Sequence, residues 1–312
     1  MNQFLEEVIN DLSQTPKKLN SKYFYDEKGD KLFQAIMDCP EYYPTNCEME
    51  IFKTRTKDLA VTLKNGFDSF DLVEMGAGDA TKSSYLLKEL MDMHVDFTYM
   101  PIDISSSMIG YLEQSLPEKI DGLKIQGLNG EYFEMLEKAN KISSRKKVVM
   151  MLGGNIGNVT PAQAQLFCTK IRSSLQPGDL VLIGFDLKKN PHTILAAYND
   201  TAGFTRDFNL NLLHRINREL DGHFDPDQFE HYATYDPETG ACKSYLISRI
   251  KQEVNISGQT FIFEENEFIF MEISQKYSVE ETEQMAEASK FKTVHHFFDQ
   301  KKWFVDTVWQ CI

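Results

Sequence analysis

The stretch that most constrains the fold runs from Phe70 into the early nineties. An apolar run, Phe70 to Met75, is followed by glycines at 76 and 78 and then by TKSSYLLKELMDM, which has helical period. A buried strand, a glycine turn and a helix make the opening unit of a nucleotide-binding α/β domain. Glycine permits backbone conformations closed to other residues and lets a ligand approach the main chain. The turn, Glu74-Met75-Gly76-Ala77-Gly78-Asp79-Ala80-Thr81-Lys82, is not GxGxxG, because position 81 is Thr, and it lacks GxxxxGK[ST]. An adenosyl ligand without a pyrophosphate therefore fits it better than a dinucleotide does. Two glycines alone are also compatible with a plain tight turn. Asp103 ends the next apolar run, FTYMPID, 25 residues after Gly78. That is close to the spacing of an acid that accepts both ribose hydroxyls, and both elements should end on one edge of a parallel sheet. A solvated acid at a strand end is the alternative.

Two more apolar runs extend the pattern: VVMMLGGNIGN at 148–158, which closes in a glycine-rich loop, and GDLVLIGFDL at 178–187. Continuous rather than alternating apolar character predicts a parallel sheet covered on both faces. After Asp186 the alternation weakens. Residues 193–220 read as helical with a break at Gly203, and candidate strands follow at 229–236, 243–251, 260–263 and 267–275. TGACK and NISGQ read as hairpin turns, which predicts antiparallel pairing. Two last strands are expected at 294–298 and 304–309. Near the N-terminus, helices are expected at 4–12 and 31–37, with the tyrosine-rich segments SKYFYDEKG and CPEYYPTNCEMEIF read as loops.

The 312 residues carry a net charge of −14, which disfavours a polyanionic partner such as nucleic acid. No apolar run reaches the length of a membrane span, and the acidic N-terminus has the wrong charge for a secretory signal. The five cysteines are scattered without a CxxC, as expected of thiols in the cytoplasm. The adjacent His295 and His296 face different ways on either a helix or a strand, and no metal site is expected.

Taken together, KYFYDEKGDKLF (22–33), PEYYPT (40–45), LVEMGAGDATK (72–82), PIDIS (101–105), LGGNIGN (152–158), GFDLKKN (184–190), AAYNDTAGFTRDFNLNLLHRINREL (196–220) and EISQKY (272–277) resemble one family in order and spacing. It is the histidine-specific S-adenosylmethionine-dependent methyltransferases, which includes the enzyme that makes trimethylhistidine for ergothioneine synthesis. The resemblance implies an α/β fold: a class I, Rossmann-like methyltransferase domain with a mostly parallel sheet, plus a smaller α+β substrate-binding domain. The first would comprise 51–190 and 277–312, the second 1–50 and 191–276, the two closing over the substrate amine. It also implies a monomer with a small-molecule amine substrate, and S-adenosylmethionine as methyl donor with S-adenosylhomocysteine as product.

Carried over motif by motif, the resemblance implies that Tyr42, Gly76, Lys82, Asp103 and Gly153 contact S-adenosylmethionine. Asp103 would hold the ribose and Lys82 the methionine carboxylate. Where the family has Gly-Asp-Phe, this chain has Gly130-Glu131-Tyr132. Glu131 keeps an acceptor for the adenine amine and Tyr132 keeps a ring. Tyr25, Tyr42, Asn158 and Tyr198 match residues around the amine and carboxylate of the amino-acid substrate, and Glu272 with Ser274 match the pair that recognises imidazole. That pair has content of its own. Residues i and i+2 of a strand share a face, and a carboxylate beside a hydroxyl can bond both nitrogens of an imidazole. By the same parity Phe268 and Phe270 are expected on that face, turning it from apolar to polar. Without the resemblance, mere solvated strand residues are the favoured reading. Ser244 and Tyr245 stand where the family commonly has a methionine, which leaves another small amine or amino acid open as substrate.

Overall fold

The computed structural model describes residues 3–312. In chain order, α1 (Gln3–Leu12), β1 (Lys17–Lys18), α2 (Glu27–Met37), α3 (Tyr43–Thr54) and α4 (Thr56–Lys64) come first. An alternating run follows: β2 (Ser69–Met75), α5 (Ser83–Asp92), β3 (Asp96–Asp103), α6 (Ser106–Lys119), β4 (Leu128–Asn129), α7 (Tyr132–Ile142), β5 (Lys146–Met151), α8 (Pro161–Ser173) and β6 (Leu180–Asp186). Then come α9 (Pro191–Ala197), α10 (Phe204–Glu219), β7 (Phe229–Tyr235), β8 (Ala241–Ser248), β9 (Gln252–Ile256), β10 (Gln259–Phe263) and β11 (Phe268–Gln275). The chain closes with α11 (Val279–Ala288), β12 (Phe291–Phe298) and β13 (Phe304–Cys311). Among the described residues, no helix is long and apolar enough to cross a membrane.

The elements divide into two compact units. One holds the chain up to Tyr43 together with Lys189–Gln275, and the other holds Pro44–Lys188 and Lys276–Ile312. The tyrosine-rich segment read as a loop is largely helix: α3 starts at Tyr43, and Pro44, which lacks an N–H to lose, is tolerated in a first helical turn. From Pro44 onward α3 groups with the parallel sheet, not with the N-terminal segment where the sequence reading put it. Helix α2 starts earlier than expected, at Glu27, because the Asp26 carboxylate caps it by accepting from the Gly29 amide at 2.7 Å.

In the larger unit, a seven-stranded sheet has the order β12-β13-β6-β5-β2-β3-β4. Five strands are parallel, and β13 runs antiparallel to both β6 and β12. Numbered within this unit, the order is 3-2-1-4-5-7-6, a doubly wound α/β sheet with the last hairpin reversed, as the class I reading expects. The inner strands are buried along nearly their whole length, as their unbroken apolar sequences require. Trp309, Phe185, Tyr277 and Phe291 anchor the core on one face. The third strand is short, Leu128–Asn129, and just upstream Ile125 makes an isolated bridge to Tyr99.

The smaller unit has a four-stranded sheet, β1-β11-β8-β7, and a separate β9–β10 hairpin. Leu246 of β8 and Ile269 and Met271 of β11 join Phe208 and Leu212 of α10 in one apolar core. The ladder between β11 and β8 is interrupted by a bulge between Phe270 and Glu272. The extra residue reverses which side chains point inward.

Candidate active site

In an open parallel sheet, ligands bind outside the carboxyl ends of the strands where the strand order reverses. Here that point lies between β2 and β5. The glycine turn leaves β2, and the Leu152-Gly153-Gly154 loop leaves β5, so both expected cofactor loops meet there. The Gly76 amide donates to Ile102 O at 2.9 Å, which ties the turn to the end of β3 and to Asp103. Gly76 has φ +70, and a Cβ on it would stand 2.7 Å from the Tyr132 hydroxyl. Only glycine fits in both respects, and its bare Cα leaves room for a ligand.

Asp103 is held by its neighbours: its Oδ1 accepts from the Ser105 amide at 2.8 Å, and Asn129 Nδ2 donates to its carbonyl at 2.9 Å. Tyr132 opens α7 beside it. Burial raises the Tyr132 phenol, and the negative charges of Asp103 and Glu131 add to that rise. Glu131 occupies the N-cap position of α7 with no capping bond from its side chain, and it is exposed. Gly76, Asp103, Glu131 and Tyr132 thus gather at one strand edge. A bare glycine Cα, a ribose-type acid and an aromatic ring are what an adenosyl group requires, so the residues present fit S-adenosylmethionine.

Lys82 and Gly153 belong to the same edge. A Cβ on Gly153 would lie 3.7 Å from Lys82 Nζ. Lys82 is paired with Glu48 of α3, a residue the sequence reading did not single out. Burial works against the lysine's charge, but Glu48 by attraction and hydrogen bond, with Asp306 and Glu74 adding to it, holds the ammonium above its usual value. Both Glu48 oxygens also accept from the Gly153 amide, at 2.7 and 2.9 Å. Glu74 at the end of β2 is fully enclosed, accepting from Ser83 Oγ and Tyr99 Oη at 2.6 Å each; burial pushes its carboxyl up to about 7. Asn158 is exposed at the end of the helical turn Asn155–Asn158, with its Nδ2 3.5 Å from Asn155 Oδ1.

The other expected residues gather in the smaller unit. The Tyr198 hydroxyl donates to Ser274 Oγ at 2.7 Å. The rings of Tyr198 and Tyr42 meet edge-on at 6.2 Å, Tyr42 meets Phe33 at 6.4 Å, and Phe33 meets Tyr25 at 5.6 Å. Tyr25 is half exposed and also rests edge-on against Phe208 of α10. One aromatic chain therefore joins Tyr25, Tyr42 and Tyr198 to Ser274.

Glu272 and Ser274 do share a face, but Phe268 and Phe270 do not share it with them. Phe268 and Phe270 pair with Ile247 and Tyr245, whereas past the bulge Glu272 pairs with Ser244 and Ser274 with Cys242. Ser244 and Cys242 follow Leu246 on the buried face of β8, so the carboxylate and hydroxyl point inward with Ile269. Asn209 of α10 reaches Glu272 Oε1 with its Nδ2 at 3.5 Å. Ser244 Oγ and Asn209 Oδ1 are buried, and neither has a hydrogen-bond partner among the described residues. His231, on the same face of β7, is kept neutral by burial, which pushes it down to about 4.

A doubly wound sheet with a glycine turn and a ribose-type acid at its switch point defines an adenosyl-binding methyltransferase of class I. The family described as histidine-specific methyltransferase, SAM-dependent, matches residues 4–311. The chain belongs to that family. It is 34% identical to the histidine N-alpha-methyltransferase of Mycolicibacterium smegmatis, covering 90% of this chain and 87% of that one. The Mycobacterium tuberculosis protein of the same name is 32% identical, covering 87% of this chain and 83% of that one. Ergothioneine biosynthesis protein 1 of Schizosaccharomyces pombe is 27% identical over 90% of this chain and 37% of its own length.

Sequence reasoning missed Glu48, Asn209 and Asp306. Asp306 carried a usable signal: a lone acid within the apolar run FVDTVW is out of place in a buried strand unless it has a task.

Proposed function

We propose that this protein transfers methyl groups from S-adenosylmethionine to the α-amine of L-histidine, successively toward trimethylhistidine. The observation that carries the reading is the inward-facing Glu272 and Ser274, with Ser274 bonded to Tyr198, in a chain of this family. Ser274 accepts from Tyr198, a serine hydroxyl can donate as well as accept and so suits an acceptor nitrogen of the ring, and the Glu272 carboxylate suits the ring N–H. That arrangement selects a planar ring with one donor and one acceptor.

The donor-binding roles fall to Gly76, Lys82, Asp103, Glu131, Tyr132 and Gly153. Asp103 would bind the ribose, Glu131 the adenine amine, and Lys82 with the Gly153 region the amino-acid end. Bound S-adenosylmethionine supplies an electrophilic methyl group on a positively charged sulfur. Tyr25, Tyr42, Asn158 and Tyr198 would orient the substrate amine with its lone pair uncommitted, which is a matter of alignment more than of acid–base chemistry. Tyrosine faces tolerate the cationic charge that grows on nitrogen with each methylation. No covalent enzyme intermediate is called for.

Mass spectrometry after incubation with histidine and S-adenosylmethionine tests the reading. Histidine gaining mass in steps of one methyl supports it. No gain on histidine alongside methylation of another amine overturns the choice of substrate. Glu272→Ala should weaken histidine binding by about 10- to 100-fold, the worth of a charge-assisted hydrogen bond, while sparing S-adenosylhomocysteine. Unchanged histidine affinity would remove Glu272 from the site.

A further inference from the structure

Two buried acids and one buried base meet beside Gly184, near the carboxyl end of β6. Glu48 is fully enclosed, paired with Lys82 and bonded through both oxygens to the Gly153 amide. Asp306 of β13 is also fully enclosed, and neither of its oxygens has a donor among the described residues. Asp306 stands opposite Gly184 in the β13–β6 ladder. A Cβ on Gly184 would lie 2.5 Å from Glu48 Oε1 and 3.0 Å from Asp306 Oδ1, so both carboxyl groups close over one bare Cα. Two carboxylates cannot both stay ionised at contact in a dry enclosure with a single ammonium. Burial first, and then the charge of Glu48, hold the Asp306 carboxyl well above the usual range, with Lys82 pulling the other way. Glu48 is the group bonded to both the ammonium and the amide, so the proton rests on Asp306 and is directed at Glu48. The groups that face Asp306 are Glu48 from α3 and Lys82 from the glycine turn, and Glu74 from β2 acts on Lys82 in turn.

We propose that Glu48 and Asp306 form a proton-sharing pair that, anchored on the Gly153 amide, positions Lys82 for the amino-acid end of S-adenosylmethionine. The inference rests on the methyl-donor reading of this turn. An ammonium has three donors, and Glu48 fixes the lysine while leaving other N–H directions for a ligand carboxylate. Protonated Asp306 keeps the trio neutral, so an arriving zwitterion meets neither surplus charge nor a mobile lysine. Asp306 and Glu48 are positioning residues, and the ligand contact belongs to Lys82.

The test compares the full chain with Asp306→Asn, Glu48→Gln and the double variant, by calorimetric titration with S-adenosylhomocysteine and by melting of the ligand-free proteins. In the wild type, affinity should fall on the alkaline side as Asp306 ionises beside Glu48. Asp306→Asn should remove that limb, leaving only the ligand amine's own titration. Glu48→Gln should bind about tenfold more weakly at neutral pH, with Asp306 giving up its proton to become the lysine's partner. The double variant should lose at least about tenfold beyond the product of the singles, because a coupled pair departs from additivity, and the excess should also appear in melting. Identical alkaline limbs in wild type and Asp306→Asn overturn the proposal, as do additive losses in both readouts. If the double variant does not fold, the comparison of limbs decides. A wild type that binds no S-adenosylhomocysteine instead overturns the donor reading itself.

Discussion

Tyr198 donates to Ser274 Oγ at 2.7 Å, and both residues are buried. The bond ties a tyrosine at the end of α9 to Ser274 of β11, the hydroxyl proposed above to meet the imidazole. Tyr198→Phe removes the bond and keeps the ring. The loss is about 1–2 kcal/mol, seen as a roughly five- to thirtyfold rise in KM for histidine with S-adenosylhomocysteine affinity unchanged. Equal losses for both ligands would mean that Tyr198 serves the fold generally.

Asp103 accepts from the Ser105 amide with one oxygen only, which leaves the other for a ribose. Asp103→Asn should weaken S-adenosylhomocysteine at least about tenfold, since a charged acceptor is worth about 1.5–3 kcal/mol. Histidine specificity should stay as it is. Titration with S-adenosylhomocysteine and with adenosine separates a ribose effect from a general one, because both ligands should weaken alike.

Glu74 gives a pH-dependent prediction. Its folded carboxyl is raised to about 7 from an ordinary value of 4.5, chiefly by burial, with Ser83, Tyr99 and Lys82 opposing the rise. A raised acid contributes stability that is fully present below the unfolded value and is lost as pH climbs through the folded one. The wild type should therefore lose roughly 3 kcal/mol relative to Glu74→Gln between about pH 4.5 and 7. Calorimetric melting across that range measures it. A Tm difference that stays constant with pH would contradict an enclosed, titrating Glu74.

Lys276 and Asp186 form a buried pair at 2.7 Å, the lysine wholly enclosed. Lys276→Met takes the ammonium from a buried aspartate and should cost about 3–5 kcal/mol. Denaturant unfolding reads this as a lower midpoint at unchanged slope. A midpoint within experimental error of the wild type would show that the aspartate finds another way to be satisfied.

Legibility in the sequence followed the range of each interaction. The β2–turn–α5 unit and Asp103 could be read because strand, glycines and acid lie within one short stretch and obey one pattern. Pairing of Glu272 with Ser274 was read from strand parity, but the face was assigned wrongly for Phe268 and Phe270, because a bulge leaves no trace in a period of two. β9, the segment QEVNI, was missed for a related reason: only Val254 and Ile256 in it are buried, too few to set a strand apart from a turn. Glu48 and Asp306 lie 258 positions apart and meet only through the order of the sheet. Tyrosine and proline near Glu48 suggested a loop, which hid that the residue lies on a helix.

The bulge at Met271 has a consequence for how such chains can diverge. The bulge takes up one residue, so Phe270 stands opposite Tyr245 and Glu272 opposite Ser244 whichever residue occupies the extra place. Deleting Met271 would leave those same partners consecutive in a regular ladder, with Glu272 and Ser274 still facing inward, whereas deleting Ile273 would set the two on opposite faces. Descendants of this sequence can therefore lose a codon at position 271 and keep Glu272 and Ser274 side by side, while the same loss two positions later would part them.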